Sequence, residues 1–312
     1  MSRPVAVSAA VSSRKTGWKP ICRDMRDAYP TCCDFMARVI ICDFVRHKNT
    51  KQYCRALPTM DATQDRIEFK FLLPAEEGEL FREYVAGILP VDRGAENGYP
   101  VISEYYDTPD RHSYWQKQWG VANRRRVRAR VYGRNDGLIP PAGFIEIKHK
   151  LDGDGVKRRA ALPISALGEL SLGKIPTPLL AADRSRADRH VVAELEDIIV
   201  HGGARPVVQV RYDRMAYDSG PEGTIRVTFD TGLRCRFDLK PLIPDDPDFP
   251  LRVVDRDIAV VEVKTIGSVP HWLRLATGKF KLQAQSMSKY CQSLERFDLA
   301  ITKNPLPQKP AA

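Results

Sequence analysis

The sequence predicts an α+β fold: an eight-stranded antiparallel β tunnel, closed as a barrel, with a charged interior and flanking helices. Three observations predict it. Segment after segment alternates strictly between charged and apolar residues, which is the period of a β-strand. The segments are joined mostly by hairpin-length turns and not by βαβ repeats, which disfavours a doubly wound parallel sheet. The charged positions are dominated by arginine, while the opposite positions are Ile, Phe, Val, Ala or Leu nearly throughout.

The elements follow in order. RIEFKF (66–71) alternates charge with Ile and Phe. Residues 74–89 read as a helix with Pro74 near its start and Leu80, Tyr84 and Ile88 at helical spacing. Residues 101–106 form a strand that ends in the turn Asp107-Thr108-Pro109-Asp110. A short helix with two tryptophans spans 112–119. Residues 124–132 then place Arg126, Arg128, Arg130 and Tyr132 on one strand face, with Val127, Ala129 and Val131 on the other. Residues 143–150 repeat the pattern with Glu146, Lys148 and Lys150. A turn at 153–155 leads to Lys157, Arg158 and Arg159 on a further strand. Residues 165–199 read as mostly helical. Strands resume at 206–217, 224–230, 234–238 and 258–265, and helices close the domain near 270–277 and 285–297.

Composition bounds the rest. The 312 residues suffice for one large domain or two small ones, and 43% apolar with 28% charged residues excludes chain-wide disorder. No apolar run approaches the about 18–20 residues that cross a membrane. The best candidate, 35–45, is broken by Arg38 and Asp43. The net charge of +10 is uneven, because residues 1–59 hold 11 Lys/Arg against 4 Asp/Glu. That segment shows no sustained period. It reads as a disordered basic extension, with Met60 as an alternative start; a tail for an anionic surface and a targeting segment are the other readings. The domain is expected over 60–300, and 301–312, with three prolines, as a frayed tail. Cys22, Cys32, Cys33, Cys42 and Cys54 precede residue 60, and only Cys235 and Cys291 follow it. None has metal-site spacing, so the thiols read as free and the protein as cytoplasmic.

The charged face collects Arg66, Glu68 and Lys70; Arg126, Arg128 and Arg130; Glu146 and Lys148; Arg159; Tyr212 and Arg214; Arg226, Thr228 and Asp230; Arg234 and Arg236; Glu262 and Lys264. An antiparallel sheet with one solvated face explains any one strand. It explains the set less well, because three Arg on one strand face bring neighbouring like charges within about 7 Å, which is unfavourable unless an anion sits there. Closed into a barrel with charge inside and helices outside, the set becomes a polycationic tunnel suited to a polyanion. The carboxylates Glu68, Glu146 and Glu262 would hold a divalent ion, Mg²⁺ or Mn²⁺. The sequence has neither GxxxxGK[ST] nor GxGxxG, so nucleotide binding by a Gly-rich loop is excluded. His149 falls on the opposite parity and reads as a surface residue. Trp115, Trp119 and Trp272 read as helix-face core, and Cys235 as a small buried hydrophobe.

The segments RIEFKF (66–71), SEYYDTPD (103–110), RVRARVYG (126–133), FIEIKHK (144–150), KRR (157–159), VRYDRMAY (210–217), GTIRVTFD (223–230), VVEVKT (260–265) and SMSKY (286–290) resemble, in order, the VTC-type polyphosphate polymerase domain. That family sits in the triphosphate tunnel (CYTH-like) superfamily, and the resemblance covers about residues 64–298. It implies transfer of the γ-phosphoryl of ATP to a growing inorganic polyphosphate chain inside the tunnel, with Mn²⁺ or Mg²⁺. It implies Arg128, Arg130, Lys148, Arg214 and Lys264 as catalytic cations. Lys70, Arg126, Arg159, Tyr212, Arg226 and Lys289 would bind substrate, and Glu262 the metal. The match of Arg159 against Arg158 is open by one position, and Lys289, apart from the resemblance, reads as an exposed helical lysine. Hydrolytic members resemble ExExK on the first strand, whereas Arg66 stands at the first of those positions. Fewer carboxylates suit holding a long anionic product better than activating water. The alternatives are a triphosphatase acting on triphosphate or nucleoside triphosphates, and a non-catalytic polyphosphate-binding module. ATP and polyphosphate are the expected partners. Nucleic acid is not expected, since closed strands offer no groove-filling helix and no aromatic stacking stripe. Membrane-spanning helices found in eukaryotic relatives have no counterpart, and any membrane-protein partner leaves no mark in the sequence.

Overall fold

The computed structural model describes residues 66–297 apart from 93–96, 134–141, 152–153, 220–223 and 256. The expectations for residues 1–59, for Met60 as a start and for 301–312 lie outside the described residues, as does the side chain of Arg66. No described helix is long and apolar enough to cross a membrane.

The strands are β1 (Arg66–Pro74), β2 (Tyr99–Asp107), β3 (Arg124–Tyr132), β4 (Gly143–Leu151), β5 (Asp154–Leu162), β6 (Arg205–Asp218), β7 (Ile225–Arg236), β8 (Leu251–Arg252) and β9 (Ile258–Ile266). The helices are α1 (Ala75–Ala86), α2 (His112–Gln118), α3 (Leu167–Ser171), α4 (Arg186–Leu195), α5 (His271–Lys279) and α6 (Lys289–Arg296). Eight strands form one antiparallel sheet in the order β1-β9-β7-β6-β2-β3-β4-β5, and the short β8 pairs with β7. The expected α+β class and antiparallel order hold. The expected closure does not: β1 and β5 are the two ends of the sheet, which is an open half-barrel flanked by helices. The physical reason lies on β5, which presents Lys157, Arg158 and Arg159 in a row, all exposed. Charged edge strands resist pairing. Across the gap the contact is made by side chains instead, with Lys148 Nζ 4.0 Å from Glu68 Oε2.

Alternation puts charge on the concave face and apolar side chains on the convex face, as expected. The convex apolar residues are covered by helices. Ile102, Val127, Ala129, Ile145 and Ile147 pack under α3 and α4 with Leu167, Leu170, Val191 and Leu195. Phe71, Val227, Phe229, Val261 and Val263 pack under α1 and α5 with Phe81, Val85, Leu273 and Ala276. The docking stripe of α1 is Gly78, Phe81 and Val85, whereas Leu80 is 58% and Ile88 40% exposed. The expected stripe through Leu80, Tyr84 and Ile88 is thereby corrected. Phe81 wins because its ring fits between Phe229 and Phe280, with centroids at 5.6 and 5.2 Å.

Two more expectations change. The segments 224–230 and 234–238 were expected as separate strands; β7 is one strand bent by a bulge. Its register slips between Arg211 and Asp213 of β6, where Gly232 has φ +61°. One extra residue inverts the alternation downstream. Arg234 and Arg236 therefore leave the charged lining for the convex side. There Arg236 donates to Gln209 Oε1 at 2.6 Å and to Asp246 Oδ2 at 2.7 Å and lies over the Phe249 ring. Cys235 is buried as expected, but on the concave side, with Val210 and Leu294 in its cluster. His149 is buried rather than on the surface, with Nε2 2.7 Å from Glu194 Oε2 on α4.

At one end the concave face turns apolar. Val101, Tyr105, Val208, Val210, Tyr212 and Leu233 meet Met287, Tyr290, Cys291 and Leu294 on and just before α6. The half-barrel is thus stoppered by a helix. Gly232→Val tests the bulge that creates this arrangement. A β-branched residue forced into the left-handed region should lower unfolding stability by about 1–2 kcal/mol in a urea titration. An unchanged midpoint would show that the bulge does not need glycine.

Candidate functional site

The concave face carries three charge groups, each set by strand register. In the first, Arg128 on β3, Glu146 on β4 and Arg159 on β5 stand opposite one another. Glu146 Oε2 accepts from Arg128 Nε at 2.7 Å and lies 3.8 Å from Arg130 Nη1. Its Oε1 is 3.2 Å from Lys157 Nζ and 3.5 Å from Arg159 Nε. Burial alone would raise the Glu146 pKa, but Arg128, Arg130 and Lys157 more than offset it and hold the carboxyl well below its usual range. Arg130 also donates to Ser103 Oγ at 2.9 Å. Arg159 lies over the Phe144 ring with its guanidinium carbon 3.4 Å from the centroid, and it is Arg159, not Arg158, that faces Glu146. Arg158 points away, to Glu194.

In the second group, Arg214 on β6 faces Asp230 on β7 and forks onto it at 2.6 and 2.8 Å. Lys289 of α6 reaches the same carboxylate at 2.7 Å. Its side chain is only 11% exposed, so it belongs to the lining and is not a surface helical lysine. Burial works against its charge, but Asp230 and Tyr212 more than offset that, and its pKa is raised. Tyr212 is buried beneath both cations, its ring centroid 5.2 Å from the Arg214 guanidinium and 4.6 Å from Lys289 Nζ.

In the third group, Lys70 pairs in register with Glu262, and Glu68 with Lys264, across β1 and β9. Lys70 Nζ lies 2.9 Å from Glu68 and 3.9 Å from Glu262. Lys264 pairs with Glu262, and Lys148 approaches Glu68 from the opposite end of the sheet. Burial and the neighbouring Glu262 both raise the Glu68 pKa; Lys70, Lys148 and Lys264 outweigh them. Burial lowers the Lys264 pKa, and Glu262 opposes that only in part.

Two expected substrate residues have partners outside these three groups. Arg126 donates to Ser288 Oγ at 2.9 Å and lies 5.2 Å over Tyr290, so it fastens α6. Arg226 stands opposite Lys264 in register and is paired with Asp92 and, at 3.0 Å, with Asp218. Sequence reasoning missed Lys157, Asp230, Tyr105 and Asp107 as site residues. Lys157 shares the parity of Arg159, and Asp230 was on the charged face, so both were legible. Asp107 was not: its Oδ2 accepts from the Tyr290 hydroxyl at 2.5 Å and from the Tyr114 amide, tying α6 to α2 beside Lys289. Tyr105 is buried between the first two groups. Burial raises its pKa, but Arg128, Arg130 and Lys289 more than offset that.

Together Lys70, Arg128, Arg130, Lys148, Lys157, Arg159, Arg214, Lys264 and Lys289 face four carboxylates, Glu68, Glu146, Asp230 and Glu262. Such an excess favours a bound polyanion. Among the described residues no three His, Cys, Asp or Glu side chains gather as a metal cage. Glu68 and Glu262 are adjacent, however, and two carboxylates suit a hard cation that takes its remaining ligands from water and phosphate. Glu146 suits one less, because it stands alone among four cations, without another of these carboxylates beside it.

The buried Asp230 carboxyl gives a pH test. Burial raises its pKa, and Arg214 and Lys289 overcome this and bring it down from 3.8 to about 2. A depressed carboxyl stabilises the fold above its unfolded pKa, and that stability is lost as pH falls toward its folded pKa. Between pH of about 4 and about 2 the wild-type chain should lose about 2 kcal/mol that Asp230→Asn does not lose. Parallel losses in urea titrations of the two would contradict the pairing.

No curated protein sequence matches the chain. Among solved structures, the PH1819 protein of Pyrococcus horikoshii OT3 is 14% identical, with 74% of this chain and 99% of that one covered and a TM-score of 0.40. The bh2851 protein of Bacillus halodurans is 11% identical, with 75% and 97% covered and a TM-score of 0.43. The VTC domain model matches residues 65–297, from the first strand to the end of the helix that stoppers the half-barrel, and the chain belongs to the VTC domain family.

Proposed function

We propose that this chain is a metal-dependent polyphosphate polymerase that transfers the γ-phosphoryl group of ATP to a growing polyphosphate chain on its concave face. The observation that carries the reading is the lining itself, nine cations against four carboxylates, assembled from seven strands and one helix. Membership of the VTC domain family supports it.

Phosphoryl transfer needs alignment and charge neutralisation more than covalent chemistry. An acceptor phosphate oxygen is already ionised at neutral pH, so no general base is required and none is assigned. Arg128, Arg130 and Arg159 present forked donors to phosphate oxygens, and Lys70, Lys148, Lys264 and Lys289 present compact charges. They lower the repulsion between donor and acceptor polyanions and the charge on the departing diphosphate. Tyr212 holds Lys289 and Arg214 over its ring. Glu262, with Glu68 beside it, would hold a divalent cation, Mn²⁺ or Mg²⁺, which supplies further positive charge to the phosphoryl oxygens. Asp107 and Arg126 keep α6 docked, and with it Lys289.

The full chain incubated with γ-labelled ATP and Mn²⁺ should yield a ladder of long polyphosphate on a sizing gel. Glu262→Ala should abolish it. Arg128→Lys, which keeps the charge against Glu146 but loses the fork, should lower kcat/KM by about a hundredfold. Release of free phosphate alone would favour a triphosphatase, and tight binding without turnover a binding module; either would overturn the proposal.

A further inference from the structure

Four cations converge on Glu146, and their exposure is graded. The Glu146 side chain is 1% exposed, whereas Arg128, Arg159 and Lys157 are 26, 36 and 51% exposed. The carboxylate therefore lies behind a layer of cations that face open space. Arg130, 6% exposed, completes the layer from the side. Six cation–carboxylate pairs divide the other two groups more evenly: two cations share Asp230, and Lys70, Lys148 and Lys264 share Glu68 and Glu262. The wall formed by β3, β4 and β5 thus carries the largest local excess, and it borders the open edge of the sheet.

We propose that Glu146 is the positioning residue that limits how tightly this wall holds the phosphate chain. The proposal rests on the polyphosphate reading above. A buried anion behind the cations does two things. It holds four like charges together before any phosphate arrives. It also repels the phosphate that the same cations attract, so that a chain can enter, advance and leave. A track for a polymer must bind well enough to fill and weakly enough to release, as ion-conducting sites do. Arg159, stacked on Phe144 and 5.6 Å from the Tyr132 centroid, keeps its guanidinium in place without adding a second carboxylate.

The test is equilibrium and stopped-flow binding of inorganic tripolyphosphate to the full chain and to Glu146→Gln, at low and high salt. The isosteric neutral variant should bind on the order of tenfold tighter, release more slowly and depend more steeply on salt. It should also be less stable alone and gain more in Tm from tripolyphosphate than the wild-type chain gains. If Glu146→Gln does not fold, Glu146→Asp, which withdraws the charge from the cations, should shift affinity in the same direction by less. Equal or weaker binding in a folded variant would overturn the proposal and leave Glu146 a structural brace. Binding is read without turnover, so tighter binding by the variant alongside a wild-type chain that makes no polymer would sink the polymerase reading and leave the role of Glu146 standing.

Discussion

Like charge held at close range on a half-buried surface is the constraint on which the rest of this structure depends. Nine cations on one concave face repel one another, and every charged side chain withdrawn from water loses solvation. Four carboxylates make the arrangement tolerable. Glu146, Asp230 and the Glu68–Glu262 pair each gather the cations around them, and Asp230 and Glu146 are the most deeply buried charged groups of the lining. The excess that remains makes the face a trap for anions. Folding and binding are therefore linked through the same side chains, with the carboxylates providing part of what a phosphate would complete.

The apolar framework answers to that constraint. Because charge occupies the concave face, the hydrophobic residues must pack outward, and the core lies between the sheet and its helices. The bulge at Gly232 adds a local correction. It moves Arg234 and Arg236 out of the lining and turns Leu233 and Cys235 inward, which makes the apolar seat for α6. Once seated, α6 delivers Lys289 to Asp230. A backbone irregularity on β7 thereby decides where a helix docks and which lysine joins the site.

Strand alternation made most of this legible in advance. The bounds of β3 follow directly from R-R-R-V-R-A-R-V-Y, and the lining positions of Lys70, Arg128, Lys148, Arg214 and Lys264 follow from parity within single strands. Parity fails where its premise fails. It assumes an unbroken strand, so the bulge reversed Arg234 and Arg236. It describes one strand at a time, so it could not show that β1 and β5 stay unpaired. Periodicity in α1 pointed to Leu80, Tyr84 and Ile88, and only the partner surface around Phe229 and Phe280 selects Phe81 and Val85 instead. The anchoring by Asp107 of Tyr290 spans 183 residues of sequence, and no local pattern announces it.

The central claim is that the concave face is a phosphate site with its metal at the β1–β9 pair. A crystal structure of the full chain with tripolyphosphate and Mn²⁺, with anomalous scattering used to locate the manganese, tests it most directly. The account predicts phosphates in hydrogen-bond contact with Lys70, Arg128, Arg214 and Lys264, and an anomalous peak beside Glu262. Phosphate bound on the convex side, or manganese held by Glu146, would contradict it.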